Sequence, residues 1–150
     1  MLMTTPASPT DPERHRRTYA STLHAPRLAR ADLASCLDAW GLGHGIDDLA
    51  LVATELVTNS VTHTETAQVR VSLSRLGDST VRLTVTDTSR KLPPSSPATA
   101  DEDDVHGRGL LLVAALTSRW GAERLITGKR VWAELDITPK SRDQHSRPSP

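Results

Sequence analysis

Glu55, Asn59 and His63 recur at every fourth position of the chain. On a helix that spacing stacks them in one polar stripe at the edge of an apolar face. The side-chain oxygen of an asparagine can ligate a hard cation such as Mg²⁺, with phosphates and waters completing the shell. A polar stripe at a packing edge is also what a solvated boundary looks like. Asp87 is the second oddity: by strand parity it continues the apolar face of Val81, Leu83 and Val85. A carboxylate there must find a partner or pay for desolvation. A helix cap, an ion pair with Arg90 and an acceptor for a ligand's donor all satisfy that demand. Third, His106-Gly107-Arg108-Gly109 precedes the apolar run Leu110 to Leu116. Glycines at a helix N-terminus let a ligand approach the backbone, where free amides and the helix dipole favour phosphate. A loop-to-helix turn with no ligand uses the same residues. The run is not a dinucleotide fingerprint, because Leu112 stands at the third glycine position. No Gly-Lys-Ser/Thr occurs, which removes a P-loop.

Other chemistries fall away. Six histidines and one cysteine show no zinc-ligand spacing, and no G-x-S-x-G nucleophile motif is present. The acidic run 101–104 lacks the pattern of a calcium-binding loop. The 18 Lys and Arg balance 18 Asp and Glu, so no global field draws the chain to nucleic acid or an anionic membrane. No apolar stretch approaches the roughly 18 residues of a membrane span, and Met1 to Thr10 lacks the apolar centre of a signal peptide. The lone Cys36 excludes an internal disulfide framework and fits a reducing, cytoplasmic compartment.

The elements that must position these residues are legible between the prolines. A chain of 150 residues suits one domain, with no need for a structural metal or disulfide. Proline clusters at 6–12 and 139–150 mark an N-terminal tail over 1–15 and a C-terminal tail over 138–150, leaving a domain over 16–137. A third cluster, Pro93, Pro94 and Pro97, runs into the acidic residues and predicts a long loop from about Thr88 to His106. A poorly alternating strand is expected over Arg16 to Leu23. Pro26 suits the first turn of a helix that carries Ala29, Leu33, Cys36, Leu37 and Trp40 on its apolar face. A second helix, with Asp47 as its cap, turns Leu49, Val52, Ala53, Leu56 and Val57 inward. After His63 the period changes to 2. Val69 to Leu73 and Val81 to Val85 form one hairpin, and Trp120 to Ile126 with Arg130 to Ile137 form another about Thr127-Gly128, with a short helix over Leu110 to Leu116 between them. The order β-α-α-β-β-α-β-β predicts an α+β fold, one sheet with helices on one face.

The three signals occur in an order that resembles one family. Glu55-Leu-Val-Thr-Asn59-Ser-Val-Thr-His63 resembles the N box of the GHKL (Bergerat-fold) ATPases, the group of gyrase, Hsp90, MutL and the sensor histidine kinases. Val85-Thr-Asp87-Thr-Ser89 is similar to the G1 box, with Ser89 where the usual pattern has glycine, and Gly107-Arg-Gly109-Leu-Leu-Leu-Val113 is similar to the G2 box. The likeness runs from about Arg16 to Ile137. The short chain, and a histidine four residues after the asparagine, point to the anti-sigma-factor and serine-protein-kinase branch.

That resemblance implies a two-layer α/β sandwich with a mixed, mostly antiparallel sheet. It implies ATP and Mg²⁺ as ligands, Asn59 on the metal and Asp87 on the adenine amino group. Gly107 and Gly109 would open backbone amides to the phosphates, residues 88–106 would form an ATP lid, and His63 and Arg108 would be pocket or phosphate contacts. Glu55 matches the base that activates a serine hydroxyl. The implied protein is a cytoplasmic serine/threonine kinase and anti-sigma factor, with a sigma factor and an anti-sigma-factor antagonist as partners. Neither nucleic acid nor membrane is a direct partner, and a homodimer is compatible. A non-enzymatic, ATP-dependent binding module of the same fold is the alternative; an α+β domain with no ligand is the third.

Overall fold

The structure is a computed structural model that describes residues 14–63, 67–88 and 105–137, with the side chains of His63 and of 105–108 outside that description. Strand β1 (Arg14–Ala20) begins two residues before the expected Arg16 and stops short of Leu23. Tyr19 is its one buried residue, which explains the weak alternation in the sequence. Pro26 opens α1 (Ala25–Ala39), whose buried line is Ala29, Leu33 and Leu37; Cys36 packs beside the core rather than within it. The Tyr19 hydroxyl donates to Asp32 at 2.5 Å and ties β1 to this helix. Burial and the neighbouring carboxylate push the Tyr19 phenol well above its ordinary pKa.

A 3-10 turn at Gly43–Gly45 leads into α2 (Ile46–His63). Asp47, expected to cap this helix, lies inside its first turn with Asp48, where carboxylates face the positive end of the helix dipole. The expected apolar face is the one buried, and it continues into Ser60. Strands β2 (Gln68–Arg75) and β3 (Thr80–Asp87) alternate buried and outward residues over their length. Helix α3 (Val105–Leu116) is followed by β4 (Arg119–Leu125) and β5 (Gly128–Asp136).

The helix α3 starts earlier than its apolar run suggests. Gly107 and Gly109 stand inside it rather than before it. A glycine costs a helix interior about 1 kcal/mol relative to alanine, and the packing of Gly109 described below shows what that cost secures.

The sheet order is β1-β2-β3-β5-β4, and every described pairing is antiparallel rather than mixed. Side chains of Val69, Val71, Leu73, Val81, Leu83, Val85, Val131, Ala133 and Leu135 form one apolar layer with α1 and α2 against it. This is the two-layer α+β architecture, with helices on one face. The opposite face carries arginine, serine and threonine. Most of the loop expected at 88–106, with Ser89 and Arg90, the expected N-terminal tail up to Glu13 and the C-terminal tail from Thr138 lie outside the described residues.

Candidate functional site

Asp87 ends β3 on the helix side of the sheet and is 4% exposed, as parity predicts. Ser60, on the apolar face of α2, donates its hydroxyl to Asp87 Oδ2 at 2.6 Å. Lys129 stands opposite Asp87 in the β3–β5 ladder, and its Nζ lies 3.1 Å from the same oxygen. Both side chains are almost wholly withdrawn from water, 8% and 1% exposed. Asp87 therefore already has a buried cation, and that cation is Lys129. A carboxyl group without a partner in such a place would be costly, and Ser60 and Lys129 supply the partners that let Asp87 end a strand inside the fold.

A glycine makes the approach of β5 possible. A Cβ on Gly128 would lie 1.9 Å from the Asp87 carbonyl oxygen and 2.7 Å from Thr88 Cα. Only a residue without a side chain brings the start of β5, and with it Lys129, alongside the end of β3.

One residue from Ser60, Asn59 presents a buried Nδ2 with no hydrogen-bond partner among the described residues. Buried amides are normally satisfied, and an orphan at the edge of a helix is what a ligand-binding group looks like before its ligand is present. Because an asparagine amide carries a donor and an acceptor on one rotor, the same side chain can turn its oxygen to a cation. Glu55, one turn earlier, reaches α3. A Cβ on Gly109 would lie 2.1 Å from Glu55 Oε1, so the glycine is the space the carboxylate occupies. The missing side chain lets α3 close on α2, which brings the third motif against the first.

The sequence-predicted residues thus divide. Glu55 and Gly109 meet between α2 and α3, Ser60 and Lys129 tie Asp87 to α2 and β5, and Asn59 lies on α2 beside Ser60. The backbones of His63 and Arg108 belong to the ends of α2 and α3, with their side chains outside the described residues. Gly107 lies in the first turn of α3, where helix amides have no partner within the helix. No cluster of three metal-ligating His, Cys, Asp or Glu side chains occurs among the described residues, so a cation here would rest on Asn59 and on its ligand's own oxygens. A cavity of about 180 Å³ also opens near Asp87, beside Thr18, Thr86 and Thr127, but on the outer face of the sheet, away from Ser60.

Sequence reasoning missed Ser60, Gly128 and Lys129. A signal for the last was available: Lys129 shares parity with Val131, Ala133 and Leu135, the buried face of β5.

The family model for the histidine kinase-like ATPase domain matches residues 19–134, from near the end of β1 to near the end of β5. The chain belongs to this family. A crystal structure of the RsbU and RsbW domains of Rv1364c from Mycobacterium tuberculosis superposes with a TM-score of 0.64 at 23% identity. That match covers 83% of this chain and 32% of the other, so the chain spans about a third of that protein's length and shares its fold. The histidine kinase domain of the Erythrobacter litoralis EL346 blue-light activated histidine kinase matches at 22% identity and a TM-score of 0.47, over 72% of this chain and 60% of that one. No curated protein matches the chain. No described helix is long and apolar enough to cross a membrane.

Proposed function

We propose that this chain binds Mg-ATP and acts as a regulatory serine/threonine protein kinase and anti-sigma factor, phosphorylating an anti-sigma-factor antagonist on serine. The observation that carries this reading is the convergence of the motifs: Ser60 of α2 holds Asp87 of β3, while Glu55 of α2 fills the space left by Gly109 of α3. Each role follows from the chemistry of the group. Asp87, fixed by Ser60 and Lys129, offers carboxylate lone pairs to the amino group of adenine. Asn59, whose Nδ2 has no partner among the described residues, would hold the cation, which would supply neutralisation of phosphate charge. The first-turn amides of α3, including that of Gly107, favour phosphate. His63, at the end of α2, and Arg108, in the first turn of α3, are proposed as pocket or phosphate contacts.

Glu55 is the proposed general base. It stands one helical turn from Asn59, so a serine hydroxyl presented at the terminal phosphate lies within its reach. The domain is proposed to extend over 16–137 and to work in the cytoplasm, with a sigma factor and the antagonist as protein partners and a homodimer as a compatible state. The test is phosphoryl transfer from labelled ATP to an antagonist captured from the source cell. Glu55→Gln keeps the shape of the side chain and removes its basicity, so transfer falls ~10²–10⁴-fold while ATP affinity holds. Transfer at the wild-type rate removes Glu55 from the base role. Tight ATP binding with no transfer to a confirmed partner makes the protein a nucleotide-dependent binding module instead.

A further inference from the structure

The face of the sheet away from the helices is polar, and its arginines are not evenly spread. In the register of the sheet, Arg14 lies beside Ser74 and Arg16 beside Ser72, while Thr18 lies beside Arg70. Ser74 then faces Arg82, and Ser72 faces Thr84. On the far side Thr84 faces Trp132 and Thr86 faces Arg130. Ser72, Ser74, Thr84 and Thr86 on β2 and β3 therefore floor a trough, and long side chains from β1 and β5, with Arg70 and Arg82 of the central strands, surround it. The trough encloses about 430 Å³. At the usual strand spacing it is roughly 14 Å across.

The charge on this face is lopsided in a chain with zero formal net charge. Its carboxylates are already engaged. Glu134 accepts from Arg82 and Arg119, at 2.9 and 3.0 Å, and Glu123 accepts from Arg130 at 3.0 Å. Arg16 and Arg70 are exposed, and no carboxylate among the described residues pairs with either. They stand on adjacent strands, two residues out of register, with guanidinium groups free to take carboxylates in the planar two-bond geometry that arginine favours.

We propose that this trough docks an extended, glutamate- or aspartate-rich segment of a partner protein. Three features select that occupant. The floor has hydroxyl donors and no apolar side chain, so it suits a polar strand rather than an amphipathic helix. Single-stranded nucleic acid needs bare aromatic faces for stacking, and the one aromatic ring here, Trp132, is covered by Arg82 and Arg119 at 4.9 and 5.5 Å. A second copy packed face to face would set arginine against arginine. This inference stands apart from the nucleotide site, which lies on the other side of the sheet.

The test uses the full chain and a fluorescein-labelled peptide of alternating glutamate and serine, read by anisotropy. The peptide binds saturably at low salt and weakens as salt is raised. Arg16→Ser with Arg70→Ser weakens it about tenfold, the scale of two exposed ion pairs. Arg16→Glu with Arg70→Glu abolishes binding, while circular dichroism and ATP affinity match the wild type. Several results overturn the proposal: no binding of the peptide at low salt, equal binding by the charge-reversed protein, tighter binding of a single-stranded oligonucleotide, or a dimer that the reversal dissociates.

Discussion

Lys129 and Asp87 face each other across the β3–β5 ladder and meet at 3.1 Å, both withdrawn from water. The pair makes one end of the sheet an electrostatic unit. Removing the ammonium by Lys129→Met leaves a buried carboxylate without its cation, a change that typically costs ~3–5 kcal/mol. Adding Asp87→Asn in the same chain removes the uncompensated charge and recovers part of that loss. Urea denaturation of the two single variants and the double variant measures the coupling, and additive losses would deny it.

Two glycines of the site should respond oppositely to alanine. Gly109→Ala meets the flexible end of Glu55, so the carboxylate swings aside while α3 gains helix propensity. Stability changes by ~1 kcal/mol or less, and phosphoryl transfer falls because Glu55 is displaced. Gly128→Ala meets the backbone of Asp87 and Thr88, which cannot step away. It destabilises by ~1–3 kcal/mol, the usual cost of overpacking, or more. Thermal melts of both variants beside a transfer assay separate the two cases.

The Nδ2 of Asn59, without a partner among the described residues, predicts a trade between stability and function. An unsatisfied buried donor costs ~1–3 kcal/mol, so Asn59→Ala leaves the ligand-free protein as stable as the wild type or more so. The same change weakens the part of ATP binding that a chelator removes. Binding indifferent to both chelator and substitution would take Asn59 off the metal.

Acid should loosen the outer face first. Hydrogen bonding from Arg119, with a further contribution from Arg82, holds the Glu134 carboxyl below the usual glutamate range despite its burial. A carboxyl depressed in the folded state stabilises fully above its unfolded pKa, and that stability is lost as pH falls through the folded value. The melting temperature therefore drops as pH falls below about 4.5, and Glu134→Gln flattens that limb. An unchanged acid profile in the variant would show that Glu134 does not carry it.

The two hairpins, the burial of Asp87 and the face of α2 could be read from periodicity, because each lies in a segment whose period is clear over several residues. Reading the start of α3 failed for a physical reason: propensity treats Gly107 and Gly109 as helix breakers, and the contact with Glu55 that favours glycine is a tertiary one. Of the partners the sequence offers Asp87, a cap, Arg90 or a ligand's donor, none is the cation that the ladder delivers from across the sheet, Lys129. Ser60 carries no motif signal of its own, yet it is the hydrogen-bond donor that orients the carboxylate. Contacts that depend on strand order stay hidden until the order is known.

Calorimetric titration of wild type and Asp87→Asn with Mg-ATP and Mg-GTP tests the proposed reading of adenine by Asp87. Adenine presents an amino donor where guanine presents a carbonyl acceptor, and a site built around such a hydrogen bond discriminates by up to ~10⁴–10⁵. The wild type binds ATP far more tightly than GTP, and Asp87→Asn collapses the ratio, a readout that partial unfolding of the variant does not mimic. Equal affinity of the wild type for the two nucleotides, or a ratio unchanged by the substitution, contradicts the account.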